Sequence, residues 1–159
     1  YPVAGVFSER QKKVYQDVLA VQEYVATFAK PGMYLRNKNE PEKCLNSLAR
    51  KFLADRGYDV EKDFPHGIGH YVGLDVHDVG SYSTPLAPGD IITIEPGIYL
   101  PSEKLGIRIE DMYWIVKDGA VCLSEEIPKK ISDVERFMRE SSFSDDEELL
   151  HSSPSTIEH

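Results

Sequence analysis

The fold class this sequence predicts is α+β, with helices packed on an antiparallel sheet. Two observations predict it. The first 57 residues carry two stretches with the apolar spacing of amphipathic helices. After residue 90 the texture changes to short β-branched and aromatic runs separated by turn signals. A chain of 159 residues is long enough for one domain with a real core and too short for two comfortable ones.

The first helix is predicted from "SERQ", Ser8–Gln11, a capping box with Ser8 as N-cap and Gln11 reaching back to it. Val14, Val18, Val21, Val25 and Phe28 then recur at helical spacing, and Pro31-Gly32 supplies a stop. A second helix is expected from Pro41, with Leu45, Leu48, Ala49, Phe52 and Leu53 inward and Gly57 as its terminator. Strands are expected at Ile91–Glu95, Gly97–Leu100, Ile107–Val116 and Ala120–Ser124. Lys117-Asp118-Gly119 joins the last two as a hairpin turn. The end of the chain, residues 140–159, is Ser-rich and acidic with little to bury, and reads as a disordered or solvated tail beyond a domain of residues 1–139.

Charge and cysteine content narrow the function. The net charge is -9, but from Glu140 onward there are six acidic side chains and no Lys or Arg. Residues 1–139 therefore hold 21 acidic against 18 basic groups, a net -3. A nearly balanced body has no field to attract a phosphate backbone, so nucleic acid is excluded as a partner. No apolar run approaches the roughly 18 residues that span a bilayer, which argues against a membrane, and no signal peptide is visible. Cys44 and Cys122 are 78 residues apart with no Cys-x-x-Cys pair, which fits buried thiols in a reducing, cytoplasmic setting. Tyr1-Pro2-Val3 lacks an initiator Met and reads as the start of a fragment, a processed chain or a trimmed one.

"HGIGHYVGLDVHDVG", residues 66–80, concentrates His66, His70 and His77, three of the five histidines in the chain. His66 and His70 have the spacing of a zincin helix, but Gly67 stands where that motif needs Glu, and two glycines oppose a helix. The glycine spacing also fails the dinucleotide fingerprint, and Phe64-Pro65-His66 precedes it instead of a buried strand. Downstream, Glu95 and Glu110 interrupt otherwise apolar strands, where an ionised carboxylate is expensive unless paired or bound to a cation. Alternation places Arg108 and Glu110 on one face, so a salt bridge accounts for one such Glu. Two of them, beside a histidine cluster on Gly-rich backbone, point to a metal. Imidazole with carboxylate suits Mn, Fe, Co or Zn in the divalent state.

"HGIGHYVGLDVHD", "PGDIITIEPGIYL" and "GIRIEDMYWI", in this order, resemble the Xaa-Pro aminopeptidase and prolidase group of the pita-bread metallopeptidases. "RGYDVEKDFPHGIGH" and "CLSEEIPKKISDVERFM" fit the same pattern, so the resemblance covers about residues 1–138. The additional histidine at His66 resembles the proline-specific branch more than the methionine aminopeptidases.

The resemblance implies the pita-bread (creatinase/aminopeptidase-like) fold, its C-terminal half, with helices on a curved antiparallel sheet. It implies a metal-dependent aminopeptidase that hydrolyses the Xaa-Pro bond at the N-terminus of peptides, its substrate a peptide with proline at the second position. His70, Glu95 and Glu110 would be metal ligands, Glu110 bridging two divalent ions and Glu95 also taking the proton of the attacking water. His77 would hydrogen-bond substrate near the scissile carbonyl, His66 would line the pocket, and Arg108 would hold the ligand carboxylates. Mn2+ is the expected ion, with Co2+ or Zn2+ also compatible. The family's centre uses two further aspartates, which lie before the stretch resembling "YPVAGVFSERQ" and are not in this sequence. A homo-oligomer, or association with the missing N-terminal half, is expected to cover the sheet edge that absent strands leave. An inactive pita-bread binding or assembly module is the alternative, and a mononuclear His70–Glu95–Glu110 triad a third reading.

Overall fold

The computed structural model describes residues 1–150, with side chains described through Glu140. Helix α1 spans Glu9–Ala26 and opens with the expected reciprocal cap: the Gln11 amide donates to Ser8 Oγ at 3.2 Å and the Ser8 amide to Gln11 Oε1 at 2.8 Å. Val14, Val18, Val21 and Val25 are fully buried. Each contributes about 1.5–2 kcal/mol of apolar transfer free energy. The helix ends before Pro31-Gly32, at Ala26. There the Thr27 hydroxyl turns back to donate to the Tyr24 carbonyl at 2.7 Å, and the backbone continues as turns through Phe28 and Ala29.

The second helix starts later than expected. Pro41–Lys43 is a single 3-10 turn, and Cys44 is extended. Cys44 forms a parallel bridge with Tyr34, with the Tyr34 amide donating to Lys43 O and the Leu45 amide to Tyr34 O. That bridge holds the backbone out of helical dihedrals until α2, Leu45–Ala54. Leu45, Ala49 and Leu53 are buried there, against α1.

Five strands follow among the described residues: β1 Ile91–Ile94, β2 Gly97–Leu100, β3 Leu105–Arg108, β4 Asp111–Val116 and β5 Gly119–Cys122. The run 107–116, expected as one strand, is broken. Its first part, in β3, pairs β2, while its second part, β4, pairs β1 and β5. The other run breaks opposite it, at Glu95-Pro96, since Pro96 has no N–H to offer a ladder. Across the gap the Ile109 amide donates to the Pro96 carbonyl at 3.3 Å. Glu95 and Glu110 thus stand at paired breaks where one sheet gives way to the other.

The pairings among β1–β5 are antiparallel, in the order β1-β4-β5 and β2-β3. Lys117-Asp118 form the two-residue turn between β4 and β5, as Val116 pairs Gly119. The outer edge of β1 is not bare. Residues 68–72 run beside it, with Glu95 N donating to Ile68 O at 2.7 Å, Thr93 N to His70 O at 2.8 Å and Val72 N to Ile91 O at 2.9 Å. Beyond β5 no further strand pairs among the described residues. Met112, Trp114, Val121 and Leu123 leave one face of β4 and the β5 segment exposed and apolar. Helix α3, Ile131–Leu150, returns over α1, where Val134 is buried and Glu135 accepts the Phe7 amide at 3.0 Å. The expected tail, residues 140–159, falls on the later turns of α3 and on residues 151–159, outside the described residues.

Candidate metal centre

The histidine stretch folds against β1 because Gly69 lets it. A Cβ at Gly69 would stand 1.9 Å from the Thr93 carbonyl oxygen, so only glycine permits this approach. The contact delivers His70 to the end of β1. Its amide donates to Thr93 Oγ1 at 3.0 Å, and the Thr93 hydroxyl donates in turn to Glu95 Oε1 at 3.2 Å. One threonine therefore ties the backbone of His70 to the side chain of Glu95.

The imidazole of His70 is 7% exposed, and its Nε2 lies 3.4 Å from Glu95 Oε1 and 3.9 Å from Glu110 Oε1. The other ring nitrogen, Nδ1, is 3.0 Å from the Tyr71 carbonyl oxygen, which can only accept, so Nδ1 carries the hydrogen. In the neutral ring Nε2 then presents a lone pair to two carboxylates. Donor atoms of His70, Glu95 and Glu110 all lie within 4.8 Å of one another. Three acceptors facing one another repel until a cation stands between them, and imidazole with two carboxylates is a fit donor set for a divalent transition ion. The Nδ1 contact with a carbonyl is the support that metal-binding histidines commonly have.

The two carboxylates differ in setting. The Glu95 side chain is 14% exposed, whereas that of Glu110 is 40% exposed. The break between β3 and β4 leaves Glu110 the more exposed of the two. The core-facing carboxylate of that run is Asp111, 2% exposed, which accepts from Ser124 Oγ and Lys129 Nζ and takes no part in the cluster. Arg108 Nε lies 4.0 Å from Glu95 Oε2 and 3.9 Å from Glu110 Oε2, the carboxylate oxygens other than those nearest His70. Tyr99 foremost, then Glu95 and Glu110, hold its guanidinium above the ordinary range.

His77 and His66 are placed differently. The His77 ring sits on that of His70, 4.2 Å between centroids. His66 is outside the three-donor cluster: its Nδ1 meets the Gly67 carbonyl at 2.8 Å, leaving Nε2 to accept from the Tyr99 hydroxyl at 3.0 Å. Tyr99 also engages Arg108, so His66 reaches the carboxylates through Tyr99 and Arg108 in turn. Asp75 and Asp78 stay out of the cluster. Asp78 instead accepts the amides of Leu74 and Val79 at 2.8 and 2.7 Å and shapes the loop.

Thr93 and Tyr99 are the residues that sequence reasoning missed. A signal existed in the alternation of Thr93, Glu95, Gly97 and Tyr99. Gly97 clears the space where Tyr99 and His66 meet, since a Cβ there would stand 2.8 Å from the Tyr99 ring and 3.0 Å from His66 Nε2.

Comparison with known proteins adds an independent line. Residues 1–117 match metallopeptidase family M24. The chain is 36% identical over 160 residues to Xaa-Pro aminopeptidase 3 of Rattus norvegicus, covering 89% of this chain and 32% of that protein. It is 41% identical over 127 residues to a Xaa-Pro dipeptidase of Pyrococcus horikoshii, covering 77% and 33%. The crystal structure of Icp55 from Saccharomyces cerevisiae superposes with a TM-score of 0.74 at 38% identity, over 87% of this chain and 39% of that one. The chain thus spans about a third of the length of these curated relatives.

Proposed function

Because the chain belongs to metallopeptidase family M24 and has that family's pita-bread architecture, we propose that His70, Glu95 and Glu110 are metal ligands of a peptidase acting on Xaa-Pro bonds. The observation that carries this reading is the convergence of His70 Nε2 with the two carboxylates, while its Nδ1 is turned to the Tyr71 carbonyl. Three donors suffice for one ion, and a second divalent ion at the same centre requires ligands other than these three. Mn2+ is the ion we favour, with Co2+ and Zn2+ compatible with the same donors.

When bound, divalent ions supply electrophilic activation of water and of the scissile carbonyl. The chain's own residues do the rest. Glu95, the more buried carboxylate, accepts a proton from the attacking water; Thr93 and Arg108 keep it oriented. Breaking the bond to proline leaves a secondary amine that needs a proton, and in this reading His77, beside His70 on the more open loop, hydrogen-bonds substrate there and returns one. His66 and Tyr99, hydrogen-bonded to each other, position the peptide.

The test is hydrolysis of Arg-Pro-Pro and Arg-Ala-Pro by protein freed of metal, then supplemented with Mn2+, Co2+ or Zn2+ in turn. Release of arginine from the proline peptide alone, restored by metal and lost in Glu95→Gln, is the expected result. Cleavage that survives chelation, or that ignores the change of proline to alanine, would overturn the proposal.

A further inference from the structure

Gln22 breaks the apolar stripe of α1. It lies between Val21 and Val25 on the buried side of the helix, 1% exposed, where an aliphatic residue would be the ordinary choice. Its Nε2 donates to two main-chain carbonyls, Ile94 O at 3.0 Å and Ile109 O at 3.2 Å. Two carbonyl acceptors fix which end of the amide faces them, since only the NH2 can donate, and its two hydrogens match two acceptors.

Those carbonyls belong to the residues immediately before Glu95 and Glu110. Each therefore lies in the same peptide group as the amide nitrogen of a proposed ligand. Both sit at the paired strand breaks: β1 ends at Ile94, and Ile109 falls between β3 and β4. Buried carbonyls left without a donor are costly, and a planar amide that serves both also fixes their separation.

We propose that Gln22 is a positioning residue for the His70–Glu95–Glu110 centre: by bridging the Ile94 and Ile109 carbonyls it sets how far apart the two carboxylates stand. The inference rests on the metal-centre reading above. Gln22 touches neither substrate nor the ligand side chains; it acts through the backbone that carries them.

The test compares Gln22→Met, similar in length but without a donor, with Val18→Ala, a buried apolar change one turn earlier on the same helix. Without metal, the backbone 15N shifts of Glu95 and Glu110 are expected to move in Gln22→Met and to stay in place in Val18→Ala. In Co2+ titrations followed by calorimetry, Gln22→Met is expected to bind about tenfold more weakly, the scale seen when a partner behind a metal ligand is lost. Val18→Ala is expected to lose stability and keep its Co2+ affinity. In the unaltered chain both side-chain amide protons of Gln22 should exchange slowly with solvent, a readout that survives even if Gln22→Met fails to fold. Fast exchange of those protons, unchanged affinity in Gln22→Met, or equal affinity losses in both variants would each overturn the positioning role. Absence of Co2+ binding by the unaltered chain would overturn the metal-centre reading and the positioning role together, which separates the two failures.

Discussion

The rings of His70 and His77 lie 4.2 Å apart between centroids and are tilted by 46°, yet only His70 directs a nitrogen at both Glu95 and Glu110. Two neighbouring histidines thus have different partners, and their alanine variants should fail differently. In the metal-loaded protein, His70→Ala is expected to lose metal on dialysis. His77→Ala is expected to keep its metal and lose turnover by roughly 10²–10⁴-fold, the usual range for a positioned acid/base group. Metal content and kcat measured on each purified variant decide between them; loss of metal from His77→Ala with retention in His70→Ala would reverse the assignment.

The unequal exposure of the two carboxylates has a stability consequence. Glu95 is the more buried of the two, so its charge is the more expensive in metal-free protein. Glu95→Gln is expected to raise metal-free stability by about 1 kcal/mol, and Glu110→Gln to leave it within about 0.5 kcal/mol. Added Mn2+ should raise the urea midpoint of the unaltered chain and of neither variant, because stabilisation by a ligand follows its binding. An equal rise in Glu95→Gln would remove that residue from the site.

Gly69 is a packing requirement of the centre. A methyl group there meets the Thr93 carbonyl at 1.9 Å, so Gly69→Ala must push residues 68–72 off β1. The expected loss is about 2–3 kcal/mol, as for other overpacked sites. Gly119, with nothing within 4 Å of such a methyl, is the control, and Gly119→Ala should stay within about 0.5 kcal/mol. Chemical denaturation of the pair checks it.

Much of this arrangement was legible in the sequence where the signal is local. Ser8 and Gln11 announce the start of α1, the alternation of Ile107 to Asp111 sets which side chains share a face, and His70, Glu95 and Glu110 stand out as polar residues in unsuitable places. What was not legible depends on partners distant in the chain. The stretch from Ile107 to Val116 reads as one strand and conceals that its two parts pair different strands. Gln22 reads as one polar residue on a helix until Ile94 and Ile109, 72 and 87 positions away, are folded against it. Tyr99 likewise looks like an ordinary strand aromatic until His66, 33 positions earlier, comes into hydrogen-bond range.

Stability should fall at alkaline pH for an identifiable reason. The Tyr58 hydroxyl donates to Asp17 Oδ2 at 2.7 Å, and Asp17, 6% exposed, also pairs with Lys13 and Arg56. Burial and then the Asp17 charge hold the Tyr58 phenol above its ordinary range, and burial pushes Tyr15 up to about 12. A folded-state value raised above the unfolded value of about 10 means the native protein holds the proton longer. The stabilisation is therefore complete below about pH 10 and is lost as pH rises toward the folded value. Tyr58→Phe is expected to cost about 1.5 kcal/mol at pH 7 and to flatten the decline above about pH 10. Unfolding free energies from pH 7 to 11 provide the comparison, and an unchanged slope would show that Tyr58 does not carry the effect.

The most direct measurement is the number of divalent ions held by the metal-free chain after equilibrium dialysis against Mn2+ or Co2+, read by elemental analysis. With three donors in the cluster, the expected result is one ion per chain, weakly bound, and none when His70→Ala, Glu95→Gln and Glu110→Gln are combined. Two tightly held ions in the unaltered chain would mean that other residues complete the centre. No ion in the unaltered chain, or an ion retained by the triple variant, would contradict the assignment of His70, Glu95 and Glu110 as metal ligands.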